Sequence, residues 1–181
     1  MKIPFSAFNI YLSLLLSPLL ILQTGCKTTE QKKKDKEAST LRFHIEMNRD
    51  GTPYNSTVPV YRANPIQVSA SRDPFLDEGD IELASVVDVD KLGGFGIRVQ
   101  FNPHGRMVLE NVTTSNKGQR IVIFSTFGQV RWLAAPVITH RISDGVLVFT
   151  PDATREEAER IVLGVNNVIK AIKKQSAFLP R

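Results

Sequence analysis

The chain is poor in the residues that disulfides and metal sites require. Its 181 residues include one cysteine, Cys26, and three histidines. A single cysteine cannot form an intrachain disulfide. Without a second cysteine or a Cys/His cluster it also lacks the further ligands that a zinc site needs. No nucleophile with a base at motif spacing is present, and the glycines at 93, 94 and 96 lack the strand and helix that flank a dinucleotide fingerprint. We therefore expect no catalysis, no cofactor and no bound metal.

The remaining titratable side chains are scattered. His44 and His140 alternate with apolar residues on predicted strands, and the alternation at His44 predicts that its ring faces solvent. Asp144 follows His140 closely enough for the two side chains to meet, although a partly exposed histidine on a strand is the commoner case. The acids between residues 73 and 80 lack the Asp-x-Asp-x-Asp-Gly order of a calcium loop, which favours a solvated loop.

Excess charge of one sign is confined to the N-terminal region. The chain as a whole has a net charge of +5, but six lysines and three acids precede residue 41, which leaves +2 for residues 41–181. A nearly neutral remainder gives little electrostatic attraction for phosphate backbones. The sequence therefore predicts no nucleic-acid partner, in spite of an isoelectric point near 9.5.

Long hydrophobic runs are absent except at the N-terminus. Residues 10–22 are almost all apolar and are preceded by Lys2. This pattern predicts a signal peptide over residues 1–25. Thr24, Gly25 and Cys26 resemble the lipobox of bacterial lipoproteins, although Gln23 stands where leucine is usual. Cys26 is therefore the expected lipidation site, and the acyl chains would hold the protein in the membrane.

Two alternatives remain for this N-terminal region. Residues 3–22 are nearly long enough to cross a bilayer, which takes about 20 residues, so an uncleaved anchor would also fit. Both readings place the rest of the chain outside the cytoplasm, in the cell envelope. Residues 27–40 contain many charges and no large apolar side chain, so residues 26–40 are expected to be a lipidated cysteine with a flexible polar tether. The tether lysines either touch anionic headgroups or are merely solvated.

Alternating apolar residues predict strands in the remaining 140 or so residues, enough for one domain. Residues 41–47 and 93–102 alternate clearly. Residues 119–124 and 129–133 predict two strands around a turn at 125–128, residues 135–142 continue extended, and residues 146–149 predict a last strand. Between residues 81 and 87 the pattern does not separate helix from strand.

Two helices are predicted among these strands. Apolar residues at helical spacing between 107 and 112 predict a short helix that ends near Asn116. Thr154 followed by Glu157 forms a capping box at the start of the C-terminal helix. One face of that helix is apolar: Ala158, Ile161, Val162, Val165, Ile169 and Ile172. The predicted fold is α+β, a mostly antiparallel sheet with two helices packed on one face.

The second half of the chain resembles a known family. The ordered series over about 90 residues is similar to the head subdomain in the first periplasmic domain of SecD, a subunit of the bacterial protein-export machinery. The residues that carry the resemblance are Thr113, Asn116, Gly118, Arg120, Ala135, Pro136, Ile138, Ile142, Gly145, Glu156, Glu157 and Ala158. On this basis residues 93–181 are expected to form the SecD-head-like domain, and residues 41–92 the N-terminal strands and lead-in segment.

The resemblance implies a binding function without proton-driven work. No segment after residue 22 approaches membrane-spanning length, so the ion-conducting helices of SecD have no counterpart here. The segment "STFGQ" replaces the family's Asp-Gly turn, and Thr150 and Pro151 replace a glycine, so the tips of the domain are expected to differ. The family's head contacts translocating chains, which makes extended polypeptide, the translocon or an envelope protein the expected partner.

Three residues are candidates for the binding surface. Trp132 is a candidate anchor because large amphipathic rings dominate interfaces, and Pro136 and Ile138 follow it in the Ala-Pro-x-Ile segment. The alternative for Trp132 is a ring half buried in the core. A partner would bind along a sheet edge or in an apolar groove beside the last helix. The competing hypothesis is a structural or assembly lipoprotein of the envelope without an export role.

Overall fold

The computed structural model describes residues 36–89 and 93–178, so Cys26, the signal peptide and most of the predicted tether lie outside the described residues. Among the described residues it has eight strands and two helices. In chain order they are β1 (Thr40–Ile45), β2 (Asn55–Val60), β3 (Ile66–Ser71), β4 (Ile81–Asp88), β5 (Phe95–Phe101), α1 (Pro103–Ser115), β6 (Ile121–Phe127), β7 (Gln129–Ala134), β8 (Val146–Phe149) and α2 (Arg155–Phe178).

Five of the strands form one sheet, in the order β1-β6-β7-β2-β3. All its neighbours are antiparallel except β7 and β2, which are parallel. The sheet also bends back on itself. Glu46 forms a bridge with Ala70 of β3, and the Met47 amide donates to the Ser69 carbonyl at 2.8 Å. The first and last strands are thus joined, so this sheet approaches a small closed barrel.

The other three strands form an antiparallel sheet with β5 in the centre, in the order β4-β5-β8. Alternation along β5 buries Ile97, Val99 and Phe101, as the sequence predicts. Helix α2 packs on β4 and also contacts β1 and β5. An α+β fold is therefore confirmed, but its strands are divided between two sheets.

One core joins both sheets and both helices. Leu41 and Phe43 of β1, Leu109 of α1 and the buried side of α2 belong to the same cluster of apolar side chains. Phe43 meets Phe101 of β5 edge to face, with ring centroids 5.2 Å apart. Residues on either side of positions 90–92 therefore share a core, and a second, smaller cluster lies inside the bend of the five-stranded sheet.

The start of helix α1 is well capped. The Asn102 side chain accepts a hydrogen bond from the Gly105 amide at 2.8 Å, and Pro103 occupies the first helical position. A Cβ on Gly105 would lie 3.0 Å from the backbone oxygen of Asp80. A larger residue would therefore force helix α1 to shift away from the loop that precedes β4.

Helix α2 buries Ala158, Ile161, Val162, Val165 and Ile169, as predicted. Ile172 was predicted to lie on the same face, but it is exposed because the helix extends past the sheet at this point. The last residues of the predicted tether lie against this helix. The Asn167 side chain donates to the Glu37 carbonyl at 3.0 Å, and Ser39 packs against Gly164.

Two details of the predicted secondary structure differ from the structure. Strand β6 continues to Phe127, so the turn to β7 is confined to Gly128, whose φ of 63° suits glycine. Residues 135–142 were predicted to be extended throughout, but they form only a single bridge, between Val137 and Arg120. Residues 81–88, which the pattern left undecided, are strand β4.

Candidate functional site

The segment that contains Pro136 and Ile138 is held by backbone hydrogen bonds to the start of β6. The Ile121 amide donates to the Pro136 carbonyl at 2.9 Å, and the Ile138 amide donates to the Gln119 carbonyl at 2.8 Å. The Ile138 carbonyl in turn accepts from the Gly118 amide at 2.9 Å. The positions of Pro136 and Ile138 are therefore set by the rigid sheet rather than by the loop itself.

The other end of this segment is attached to helix α1 through a buried threonine. The Thr113 hydroxyl donates to the Leu109 carbonyl at 2.8 Å, which leaves its oxygen to accept from the Ile142 amide at 3.0 Å. Thr113 is fully buried. A hydroxyl at this helical position is thus needed to hold residue 142, and alanine would leave a buried amide without a partner.

Strand β8 lies beside this segment and has an unpaired edge. The Phe101 amide donates to the Gly145 carbonyl at 2.9 Å. This bond shows which residue pairs of β5 and β8 are hydrogen-bonded and which are not. Because bonded and non-bonded pairs alternate in an antiparallel ladder, Val146 and Val148 direct their backbone groups away from β5. The Val146 amide is satisfied by the Asp144 carboxylate at 3.0 Å. Among the described residues, none bonds the amide or the carbonyl of Val148.

An apolar trough runs between β8 and the segment at 136–142. A groove of about 160 Å³ joins a wider concavity of about 450 Å³ that shares part of its lining. Ile138 and Leu147 are buried in its floor, while Val148 is 45% exposed at its rim. We call this surface the β8 trough, and its principal residues are Pro136, Ile138, His140, Ile142, Leu147 and Val148.

The opposite edge of the same sheet is covered. Ala84 of β4 directs its backbone groups away from β5, and the Asn166 side chain of α2 satisfies both of them. Asn166 Oδ1 accepts from the Ala84 amide at 3.0 Å, and Asn166 Nδ2 donates to the Ala84 carbonyl at 2.9 Å. A second chain cannot pair with the centre of β4 without displacing α2.

The edges of the five-stranded sheet are also occupied. Strand β1 bonds to residues 75 and 76, since the Phe43 amide donates to the Leu76 carbonyl at 2.9 Å. Strand β3 is joined to the extension of β1 through Ala70 and Ser69. The outer edges of β1 and β3 thus have partners at these points, whereas the outward groups of Val148 in β8 have none among the described residues.

Trp132 does not lie in the β8 trough with Pro136 and Ile138. Its ring is half buried on the far face of the five-stranded sheet, where it meets His44 and Phe124 with centroid distances of 5.0 Å and 5.1 Å. The three predicted binding residues thus separate into two places, Trp132 in one cavity and the other two in the trough.

The prediction that His44 faces solvent is wrong. Its side chain does point away from Leu41 and Phe43, but the hairpin of β2 and β3 covers that face, so His44 is 6% exposed. Its Nδ1 lies 2.9 Å from the Ser71 carbonyl, which can only accept, so Nδ1 carries a proton. Burial lowers the pKa of His44 below its usual value of 6.5, and the Ser71 hydrogen bond partly opposes this shift.

The other titratable candidates serve local structure. Asp80 accepts from His104 at 2.8 Å, and the Asp77 side chain accepts from the Gly79 amide at 2.8 Å. The Nδ1 atom of His140 lies 3.0 Å from the Thr139 hydroxyl oxygen, and His140 and Asp144, both among the described residues, share no hydrogen bond or ion pair. Within residues 36–89 and 93–178, no group of three or more His, Cys, Asp and Glu side chains could hold a metal ion.

A cluster of ion pairs attaches β7 to the start of α2, and no local sequence pattern predicts it. Arg131, whose side chain is 13% exposed, pairs with the Glu157 carboxylate and donates to the Asp152 carbonyl at 2.6 Å. The Glu157 amide donates to the Thr154 hydroxyl at 3.2 Å, which confirms one half of the capping box. The Glu157 carboxylate, however, binds Arg131 instead of the cap. The capping motif located this acid but not its partner.

Comparison with known proteins finds solved structures of similar fold. No protein-family model and no curated protein matches the chain. Solved structures do match, and two of them are similar over most of the chain. One is described as a membrane component SecDF that enhances protein export, with a TM-score of 0.53 and 22% identity over 76% of this chain and 66% of that one. This fold is SecD-like. The other, SecDF in a super-membrane-facing form, has a TM-score of 0.53 and 23% identity over 76% of this chain and 20% of that one.

The SecD-like fold includes more of the chain than the expected head alone, since the likeness covers 76% of it. The chain spans less than two thirds of the first SecDF structure and a fifth of the second. No helix in the described part of the chain is long and apolar enough to cross a membrane. The likeness therefore concerns the fold alone, and the trough and the cavity around Trp132 are features of this chain's own residues.

Proposed function

We propose that the protein is a membrane-tethered, extracytoplasmic binding module that holds extended polypeptide at the β8 trough, as an accessory to protein export or envelope protein handling. The observation that carries this proposal is the contrast between β8, whose edge is open beside an apolar groove, and the outer edges of β1, β3 and β4, which have partners. The SecD-like fold supports the connection with export, because a SecDF structure is described as that of a component that enhances protein export.

The chemistry of the trough suits an extended chain. The amide and carbonyl of Val148 offer one donor and one acceptor to a passing backbone, which gives affinity without reading side chains. Ile138 and Leu147 offer apolar surface for every second side chain of an added strand. A site of this kind would bind apolar segments weakly and release them, with micromolar to millimolar affinity, about −8 to −4 kcal/mol.

Photo-crosslinking in living cells tests the polypeptide site in the full chain. A benzoylphenylalanine placed at Val148 is expected to crosslink to a secretory precursor that is arrested during export. The same group at Val130, which is 70% exposed outside the trough, is the matched control and is expected to give little product. Crosslinking at Val148 should disappear on adding excess unfolded competitor. Equal products at both positions, or none at Val148, would refute the trough as a binding site and leave a structural lipoprotein as the better hypothesis.

The tether is a separate part of the proposal and rests on the sequence around Cys26. We expect a radioactive fatty acid to label the wild-type protein in growing cells, because two or more acyl chains give stable membrane attachment. The Cys26→Ala variant should lose the label and leave the membrane fraction. A variant of another small residue of the leader, Thr24→Ser, serves as the control. Equal label in wild type and Cys26→Ala would remove the lipid anchor but not the trough.

A further inference from the structure

A cavity of about 280 Å³ opens at the bend of the five-stranded sheet and shares no lining residue with the β8 trough. Its wall comes from β1, β2, β3, β6 and β7, together with the residues that follow β3. The lining consists of Arg42, His44, Ser56, Val58, Ala70, Ser71, Arg72, Pro74, Phe124 and Trp132. The closed form of the sheet, not a loop, therefore shapes this space.

The floor of the cavity is aromatic and apolar. Trp132 meets His44 at a centroid distance of 5.0 Å and an interplanar angle of 72°, and Phe124 at 5.1 Å and 63°. Val58 and Ala70 are buried beside these rings. Edge-to-face contacts fix the rings of the floor against one another, so a flat or slender apolar group can bind without reorganising them.

The rim of the cavity is positively charged. Two of the ten lining residues, Arg42 and Arg72, carry guanidinium groups, and none is an acid. The Arg42 Nε atom lies 3.5 Å from the Glu78 carboxylate, which occupies one side of that guanidinium. The Arg72 guanidinium makes no hydrogen bond or ion pair with the described residues. Arginine donors in this arrangement suit a carboxylate.

We propose that this cavity binds a small organic anion with an apolar body, of the class of medium-chain carboxylates. The carboxylate contacts Arg42 and Arg72, and the hydrocarbon part lies against Trp132 and Phe124. The volume is at the lower limit of small-molecule pockets, which suits a ligand of about ten heavy atoms. A cationic amphiphile of the same size would meet two guanidinium groups without a neutralising acid in the lining.

The fluorescence of Trp132 reports on this cavity directly, because it is the only tryptophan in the chain. The mature protein is titrated with octanoate, 1-octanol and octylammonium, which have the same chain and differ in charge. Octanoate is expected to change the Trp132 emission at concentrations about tenfold lower than octylammonium, with octanol between them. Equal or tighter binding of octylammonium would overturn the proposal, as would the absence of any emission change with octanoate up to millimolar concentration.

Three arginine variants locate the carboxylate. Arg72→Gln and Arg42→Gln are each expected to weaken octanoate binding about tenfold and to leave octanol binding unchanged. Arg49→Gln removes the same charge from an exposed position outside the lining and is expected to have no effect. Since Arg42 and Arg72 are both exposed, the variants should fold. An unchanged octanoate affinity in both cavity variants, or an equal loss in Arg49→Gln, would show that the charge at the rim does not select the ligand.

Discussion

The two edges of the three-stranded sheet differ, since β4 is covered and β8 is open. At β4 the outward backbone groups of Ala84 are bound by Asn166, and α2 lies over the strand. At β8 the corresponding groups of Val148 face a trough, although β8 is paired with the same central strand. An open edge is a site where another chain can pair, and proteins usually cover it. The open edge at β8 is therefore not shared by the other edge of the same sheet.

The comparison extends to the five-stranded sheet. There the first and last strands are joined at Glu46 and Ala70. The outer edges of β1, β3 and β4 thus have partners at these points, whereas the outward groups of Val148 in β8 have none among the described residues. Three predictions test how each closed edge is maintained, in order of decreasing expected effect.

The first prediction removes the helix that covers β4. Val165→Asp places a charge at a fully buried position of α2, next to the core that both sheets share. Burying an unpaired charge costs several kcal/mol, which is comparable to the total stability of about 5–15 kcal/mol of a domain. The variant is therefore expected to be unfolded at 25 °C by circular dichroism.

The matched control for this prediction is Ile172→Asp, which places the same charge on the exposed extension of α2. It should melt within a few degrees of wild type. If Val165→Asp melted as the wild type does, α2 would be peripheral, and the closure of the β4 edge would need another explanation.

The second prediction opens the β4 edge without removing the helix. Asn166→Ala deletes both side-chain hydrogen bonds to Ala84 and leaves its amide and carbonyl without partners. The expected loss is about 1–3 kcal/mol, because buried polar groups then remain unsatisfied. Thermal melting measures the loss. Light scattering at rising concentration should also show more self-association, since a partner strand then has to displace a helix that is held less tightly.

Asn167→Ala is the control for Asn166→Ala, because it removes a neighbouring amide that bonds the Glu37 carbonyl and leaves Ala84 covered. It should lose less stability and should not associate more. An identical response of the two variants would mean that the amide at 166 does not protect the edge in particular.

Local sequence patterns predicted most of the elements, because strands and helices carry their period within a few residues. The alternation in β1 and β5, the short helix α1 with its end near Asn116 and the buried stripe of α2 are all confirmed. The alternation even gave the direction of His44 correctly. The predicted exposure was wrong because the covering residues, Val58 and Val68, come from a hairpin whose position depends on long-range pairing.

The site was harder to predict for the same reason. Trp132 and Pro136 are four residues apart, yet they line different cavities, because Trp132 is on a strand face and Pro136 follows the end of that strand. Nothing in the local pattern of residues 146–149 states whether a neighbour will cover β8. The openness of that edge depends on where α2 and residues 135–142 lie, and the ion pair between Arg131 and Glu157 is likewise a contact between distant residues.

The third prediction concerns the closed edge between β1 and β3, where the buried ring of His44 bonds to the Ser71 carbonyl. Because burial lowers the pKa of His44 in the folded chain, the unfolded chain binds a proton more readily below pH 6.5. The free energy of unfolding should therefore fall as the pH drops from 7.5 to 5.5, by at most about 1.4 kcal/mol per pH unit for one proton.

His44→Gln should flatten this dependence, whatever its own effect on the melting temperature. His140→Gln, which changes an exposed histidine, should keep it. Melting curves at several pH values within this window, above the range where carboxylates titrate, measure the slopes. Equal slopes for wild type and His44→Gln would show that protonation of this ring does not affect the edge between β1 and β3. That edge would then depend on backbone pairing and apolar packing alone.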